Sequence, residues 1–129
     1  MEAVSYQLNL LPEVMALCRL APGMPIPEWT ASASLLNITR TAEELSILCD
    51  SHLVPANGTV EGGWRVFKMI GPLEFTMVGV LASVLNPLAE AGITILAVST
   101  YDTDYILVTE RDLQAAIAAL HAAGHLITT

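Results

Sequence analysis

The sequence predicts an α+β protein in which two helices lie on one antiparallel sheet. Three observations carry that expectation. Apolar residues recur at helical spacing in "MVGVLASVLNPLAEAG" and in "RDLQAAIAALHAAG". Around them stand the strand-like runs "WRVFKMI", "ITILAVST", "DYILVTE" and "HLITT". From Trp64 onward the order is therefore strand, helix, strand, strand, helix, strand, a ferredoxin-like βαββαβ layer.

In the first half, "YQLNLL" alternates apolar and polar residues as a half-buried strand does. Pro12 and Glu13 read as a turn, and "VMALCRL" as a second strand. "APGMPIPEW", with three prolines and a glycine, reads as a loop, and "SLLNITR" returns to strand. In "TAEE", Thr41 and Glu44 have the spacing of a capping box, which implies one short helical turn. "LSILCD" is strand again, and "VPANGTVEGG" is the most linker-like stretch. The expected division is a reduced, strand-rich N-terminal half over 1–60 and the complete unit over 61–129.

In the second half, "WRVFKMI" reads as a well-buried strand and "GPLEFT" as a loop. The first helix buries Val80, Leu81, Val84, Leu85 and Leu88 and closes at Gly92. Pro87 has no N–H, so within a continuous helix it frees the carbonyl of Ser83, which then stands beside the Ser83 hydroxyl. The alternative is a helix that restarts with Asn86 as its cap and Pro87 at its first position. The second helix shows the stripe Leu113, Ile117, Leu120, with Thr109 or Glu110 as its cap and Gly124 at its end.

Composition narrows the function. Hydrophobic residues make up 53% and charged residues 14%, enough for a sizeable core. The net charge is −8, and the five basic residues are scattered, which excludes a nucleic-acid-binding surface. So much apolar content implies area covered by another subunit. No apolar run approaches the about 18 residues of a membrane span. The acidic N-terminus lacks the order of a signal peptide, so a cytoplasmic location is expected. Cys18 and Cys49 lie in apolar runs without metal-ligand spacing and read as buried thiols. His121 and His125 flank a helix end and read as solvent-facing, far from Ser83 and the aspartates. With no nucleophile–base arrangement, phosphate loop or dinucleotide glycine pattern, no catalysis, cofactor or metal is expected.

The residues suited to binding cluster elsewhere. Gly71 and Gly79 flank the loop that leads into the first helix, whose N-terminus favours an anion such as a carboxylate. "STYDTDY" spends hydroxyls, a ring and two acids on a hairpin turn. Asp102 suits the turn itself. Asp104 enters a strand that should be buried, and a carboxylate there needs a partner, either a backbone amide or a cationic ligand.

"GVLASVLNPLAEAGITI", joined to "ELS", "GW" and "STYDTDYILV", resembles the ACT domain family. Within it the chain is similar to short free-standing bacterial ACT proteins and to the tandem-ACT arginine sensors of animals. The resemblance implies a regulatory protein that binds a small amino acid at a subunit interface, with no catalytic activity of its own. It implies ligand contacts from Ser83 and Val84 on the helix, and from Thr100, Tyr101 and Asp104 on the hairpin, Asp104 holding a guanidinium. The loop residues Gly71, Leu73, Glu74, Phe75 and Thr76 would hold the amino-acid end. Because the chain carries one complete unit, a homodimer would supply one contact set from each protomer, and a regulated enzyme is a further implied partner. The alternative is a ligand-free dimerisation or interaction module.

Overall fold

The computed structural model describes residues 5–56, 58–70 and 79–129. In chain order these form β1 (Gln7–Leu20), a 3-10 turn at Glu28–Ser32, β2 (Asn37–Arg40), β3 (Leu45–Asp50), a 3-10 turn at Ser51–Leu53, and β4 (Thr59–Met69). There follow α1 (Val80–Glu90), β5 (Ile95–Ser99), β6 (Asp104–Thr109), a 3-10 turn at Glu110–Asp112, α2 (Leu113–Ala122) and β7 (Leu126–Thr128). Two compact units result, Met1–Pro12 with Arg65–Thr129 in one and Glu13–Trp64 in the other. Both β1 and β4 pass from one unit to the other.

The first unit is the α+β layer that the element order implies. Its strands run β7, front half of β1, end of β4, β6, β5, with β5 at the edge. The front of β1 is thus a fifth strand added to the βαββαβ pattern. Gln7–Asn9 pair in parallel with Leu126–Thr128, and the Ile70 amide donates to the Gln7 carbonyl. Val80, Val84 and Leu88 repeat along one face of α1 and meet Leu113, Ala116 and Leu120 of α2 over Phe67, Ile106 and Val108. Burial of each large aliphatic chain stabilises by about 1.5–3 kcal/mol.

Both helices end in the same motif. Gly92 and Gly124 have φ of 76° and 92°, a left-handed conformation that residues with a Cβ resist. The Gly92 amide donates to Ala89 and that of Ile93 to Leu88. The Gly124 amide donates to His121 and that of His125 to Leu120. These paired bonds satisfy the last carbonyls of each helix. They also fix where the residue after each glycine goes, which decides the setting of His125.

The second unit orders its strands β2, β3, back half of β1, start of β4. Cys18, Leu45, Ile47 and Cys49 form its core, with Cys18 opposite Ile47 and Ala16 opposite Cys49 across the antiparallel ladder. Asp50 ends β3 and holds Ser34, accepting from its amide at 2.8 Å and its hydroxyl at 2.6 Å.

Several expectations are corrected. Pro12 does not turn the chain, because β1 runs straight through it. The ladders to β7 and β3 engage 7–9 and 15–20, so Pro12 falls between them, where its missing N–H costs no bond on that side. "TAEE" is not helical but closes the β2–β3 hairpin. Thr41 still caps there: its hydroxyl accepts from the amides of Glu43 and Glu44, and its own amide donates to the Glu44 carbonyl. "TVEGG" is not linker but the start of β4. α1 does not restart at Asn86; it runs on with Pro87 inside. α2 begins after a 3-10 turn, with Asp112 at the cap position and no side-chain cap bond, so neither Thr109 nor Glu110 caps it.

Candidate functional site

The hairpin that carries "STYDTDY" pairs Ile95 with Val108 and continues to Ser99 opposite Asp104. Beyond that pair the Thr100 amide donates to the Thr103 carbonyl at 2.9 Å, leaving Tyr101 and Asp102 at the exposed tip. The Thr100 hydroxyl donates to the same carbonyl at 3.1 Å and accepts from the Thr103 amide. Tyr101 is 81% exposed. Asp104 is half-buried, and Oδ1 accepts from the Ser99 hydroxyl at 2.6 Å. The partner that Asp104 needs within the protomer is thus a hydroxyl; among the described residues no basic side chain pairs with it.

Thr103 fixes the position of this tip. It is buried, and its hydroxyl donates to the Met69 carbonyl at 2.7 Å. Met69 is the last residue of β4, so the polar tip sits at the end of β4. In the sequence Thr103 is one more hydroxyl in a turn. Its place directly before the strand "DYILV" is the one signal that sets it apart.

On α1, Ser83 and Val84 are engaged differently from the expectation. Val84 is fully buried in the core and presents no side-chain surface within the protomer. The Ser83 hydroxyl donates to the Val80 carbonyl at 2.6 Å. Pro87 does deprive the Ser83 carbonyl of its helical partner, but His125 takes it, with Nε2 at 2.9 Å. The Tyr6 amide donates to Nδ1 of the same ring at 3.1 Å. Nδ1 is therefore the acceptor, the proton sits on Nε2, and Nε2 donates to Ser83. The rings of Tyr6 and His125 stack with centroids 5.9 Å apart.

Two expectations fall here. His125 is 4% exposed, not solvent-facing, and it touches Ser83 rather than lying far from it. The Ser83 carbonyl does not stand unpartnered but accepts from His125. This contact leaves no local mark in the sequence, because it joins positions 42 and 119 residues apart.

The structure brings Thr100, Tyr101 and Asp104 together on one tip and sets Ser83 on α1 of the same unit. Gly71, Leu73, Glu74, Phe75 and Thr76 lie outside the described residues. Among the described residues no group of His, Cys, Asp and Glu is arranged to hold a metal ion, and no helix is long and apolar enough to cross a membrane. Cys18 and Cys49 are free and buried, as their apolar runs imply. Burial, with the charge of Asp50 and then of Cys18 adding to it, pushes the Cys49 thiol up to about 11, which keeps it protonated and unreactive.

A family model described as an ACT domain matches residues 59–122. The chain belongs to the ACT domain family. A second model, of an N-terminal domain, matches residues 13–57, close to the bounds of the second unit. This ACT protein is 38% identical to a protein from Agobacterium tumefaciens whose crystal structure superposes with a TM-score of 0.91, over 97% of this chain and 93% of that one. It is 32% identical over 95 residues to the bovine cytosolic arginine sensor for mTORC1 subunit 1, covering 65% of this chain and 29% of the sensor. The chain spans about half or less of the length of the curated relatives it matches. The regulatory subunit of aspartate kinase from Thermus thermophilus shares the fold, with a TM-score of 0.69 at 11% identity over 95% of this chain and 99% of that one.

Proposed function

We propose that this chain is a non-catalytic regulatory ACT protein that binds a free amino acid at an interface between two copies of itself. The observation that carries the reading is Asp104. Its carboxylate stands half-buried at the tip of the β5–β6 hairpin, one oxygen held by Ser99, with no basic partner among the described residues. A carboxylate so placed suits a cationic side chain, and the animal relative is named for arginine. Thr100 and Tyr101 flank it on the same tip, and the Thr103 bond to Met69 supports a tip held in one place before a ligand arrives. Ser83 and Val84 of α1 belong to the proposed site through the family resemblance.

A ligand-free interaction module is the second reading. Ser83 favours it, because its hydroxyl and carbonyl are both engaged within the protomer. A thermal-shift screen against the standard amino acids separates the two. Under the first reading a cationic amino acid raises the melting temperature, by the equivalent of about 2.7 kcal/mol at a hundred times its dissociation constant. No shift from any amino acid at millimolar concentration supports the second.

A further inference from the structure

We infer that the second unit holds a separate site for a small, neutral, aromatic molecule. The unit's sheet shows an apolar face, with Cys18, Leu45, Ile47 and Cys49 at its centre. A sheet face of this kind is normally covered by a helix or a second sheet. Here the cover is a five-residue 3-10 turn, a three-residue 3-10 turn and a proline-rich loop. The cover leaves a half-open groove with a volume of about 310 Å³. Ligand sites run from roughly 300 to 1,000 Å³, and an apolar cavity of roughly 150 Å³ holds a benzene ring. The volume therefore suits two fused rings.

The lining selects the chemistry. None of the side chains around the groove carries a charge. A zwitterionic amino acid, a nucleotide or a metal ion would lose part of its hydration there without a charged side chain to replace it. Trp29 offers a flat aromatic surface, and Pro25, Pro27 and Pro55 offer rigid walls that lose no rotamer freedom when a ring packs on them. Cys18 and Met24 add sulfur, which contacts aromatic rings favourably. Met24 is 45% exposed and so stands at the mouth, an unbranched side chain able to adjust to an entering ring. These features converge on a neutral bicyclic aromatic of indole size. The site is distinct in chemistry from the proposed amino-acid site and lies wholly within Glu13–Trp64.

The test uses the full chain and indole as probe, followed by calorimetry and by amide chemical shifts. Saturable binding is expected, with shifts at Leu20, Trp29 and Val54. Free tryptophan, a zwitterion with the same ring, should bind at least about tenfold more weakly. Val54→Phe fills the groove and should abolish indole binding. If that variant fails to fold, Met24→Ala at the exposed mouth should weaken binding about threefold. No binding of indole to folded protein, binding unchanged in both variants, or equal binding of tryptophan would overturn the proposal. So would a dimer in sedimentation that Val54→Phe converts to monomer, since a second copy would then be the occupant. Val54→Phe should leave any thermal shift by a cationic amino acid intact, so failure here is separable from failure of the proposed function.

Discussion

His125 donates from Nε2 to the carbonyl of Ser83 at 2.9 Å. Helical geometry would give that carbonyl to the amide of residue 87, but proline has none. Tyr6, immediately before β1, supplies the other half of the arrangement, through its amide on Nδ1. One neutral imidazole, just after α2, thus joins the residue before β1 to the middle of α1.

Removing the ring strands two polar groups. His125→Ala leaves the Tyr6 amide and the Ser83 carbonyl without partners and should destabilise by about 3 kcal/mol. Pro87→Ala restores an amide that can bond Ser83, so His125→Ala should cost roughly 1 kcal/mol less in that background. Urea unfolding of the two single variants and the double variant measures the coupling. Strict additivity would show that Pro87 is not what makes His125 necessary.

Thr103→Val keeps the shape of the side chain but removes the donor to the Met69 carbonyl. A loss of about 1–2 kcal/mol is expected, because a buried acceptor is left unpaired. Hydrogen exchange should speed up at the tip of the β5–β6 hairpin and leave α2 unchanged. A variant as stable as the wild type would mean that the tip is held by something other than this bond.

The pH dependence of the second unit should have two limbs. Burial raises the pKa of Asp50, but the hydroxyl and amide of Ser34, with further backbone bonds, outweigh it and hold the carboxyl below its ordinary 3.8. A carboxyl depressed in the folded state stabilises above its unfolded value, and that stability is lost as pH falls through the folded value. Ser34→Ala should therefore lower the denaturant midpoint at neutral pH, with the difference closing below about pH 4. Cys49 works in the opposite direction. Its thiol is raised from 9.0 to about 11, mainly by burial, so the stability it lends is intact below 9 and fades as pH climbs to about 11. Cys49→Ala should flatten the alkaline limb while leaving the acid limb in place.

The fold of the second half was legible because two periodicities are clean there, and the terminal glycines of both helices mark their ends. The first half misled at particular residues. Pro12 looks like a turn in sequence, yet lies between two ladders. "VEGG" looks like linker, yet Gly63 takes φ of 76° inside β4, a kink that a strand can carry on a glycine. Of the candidate site, the polar hairpin was visible because its residue types are unusual for a turn. The roles of Thr103 and His125 were not, since each is set by a partner distant in sequence.

Asp104 is the proposed anchor for a cationic amino acid between two protomers. The most direct measurement is a calorimetric titration of wild type and Asp104→Ala with arginine, lysine and leucine, alongside sedimentation of both proteins. A dimeric wild type should bind a cationic amino acid saturably, and folded, dimeric Asp104→Ala should lose at least about tenfold in affinity for it. Equal affinity in the two proteins, or no binding of any of the three by a folded dimer, would contradict the account.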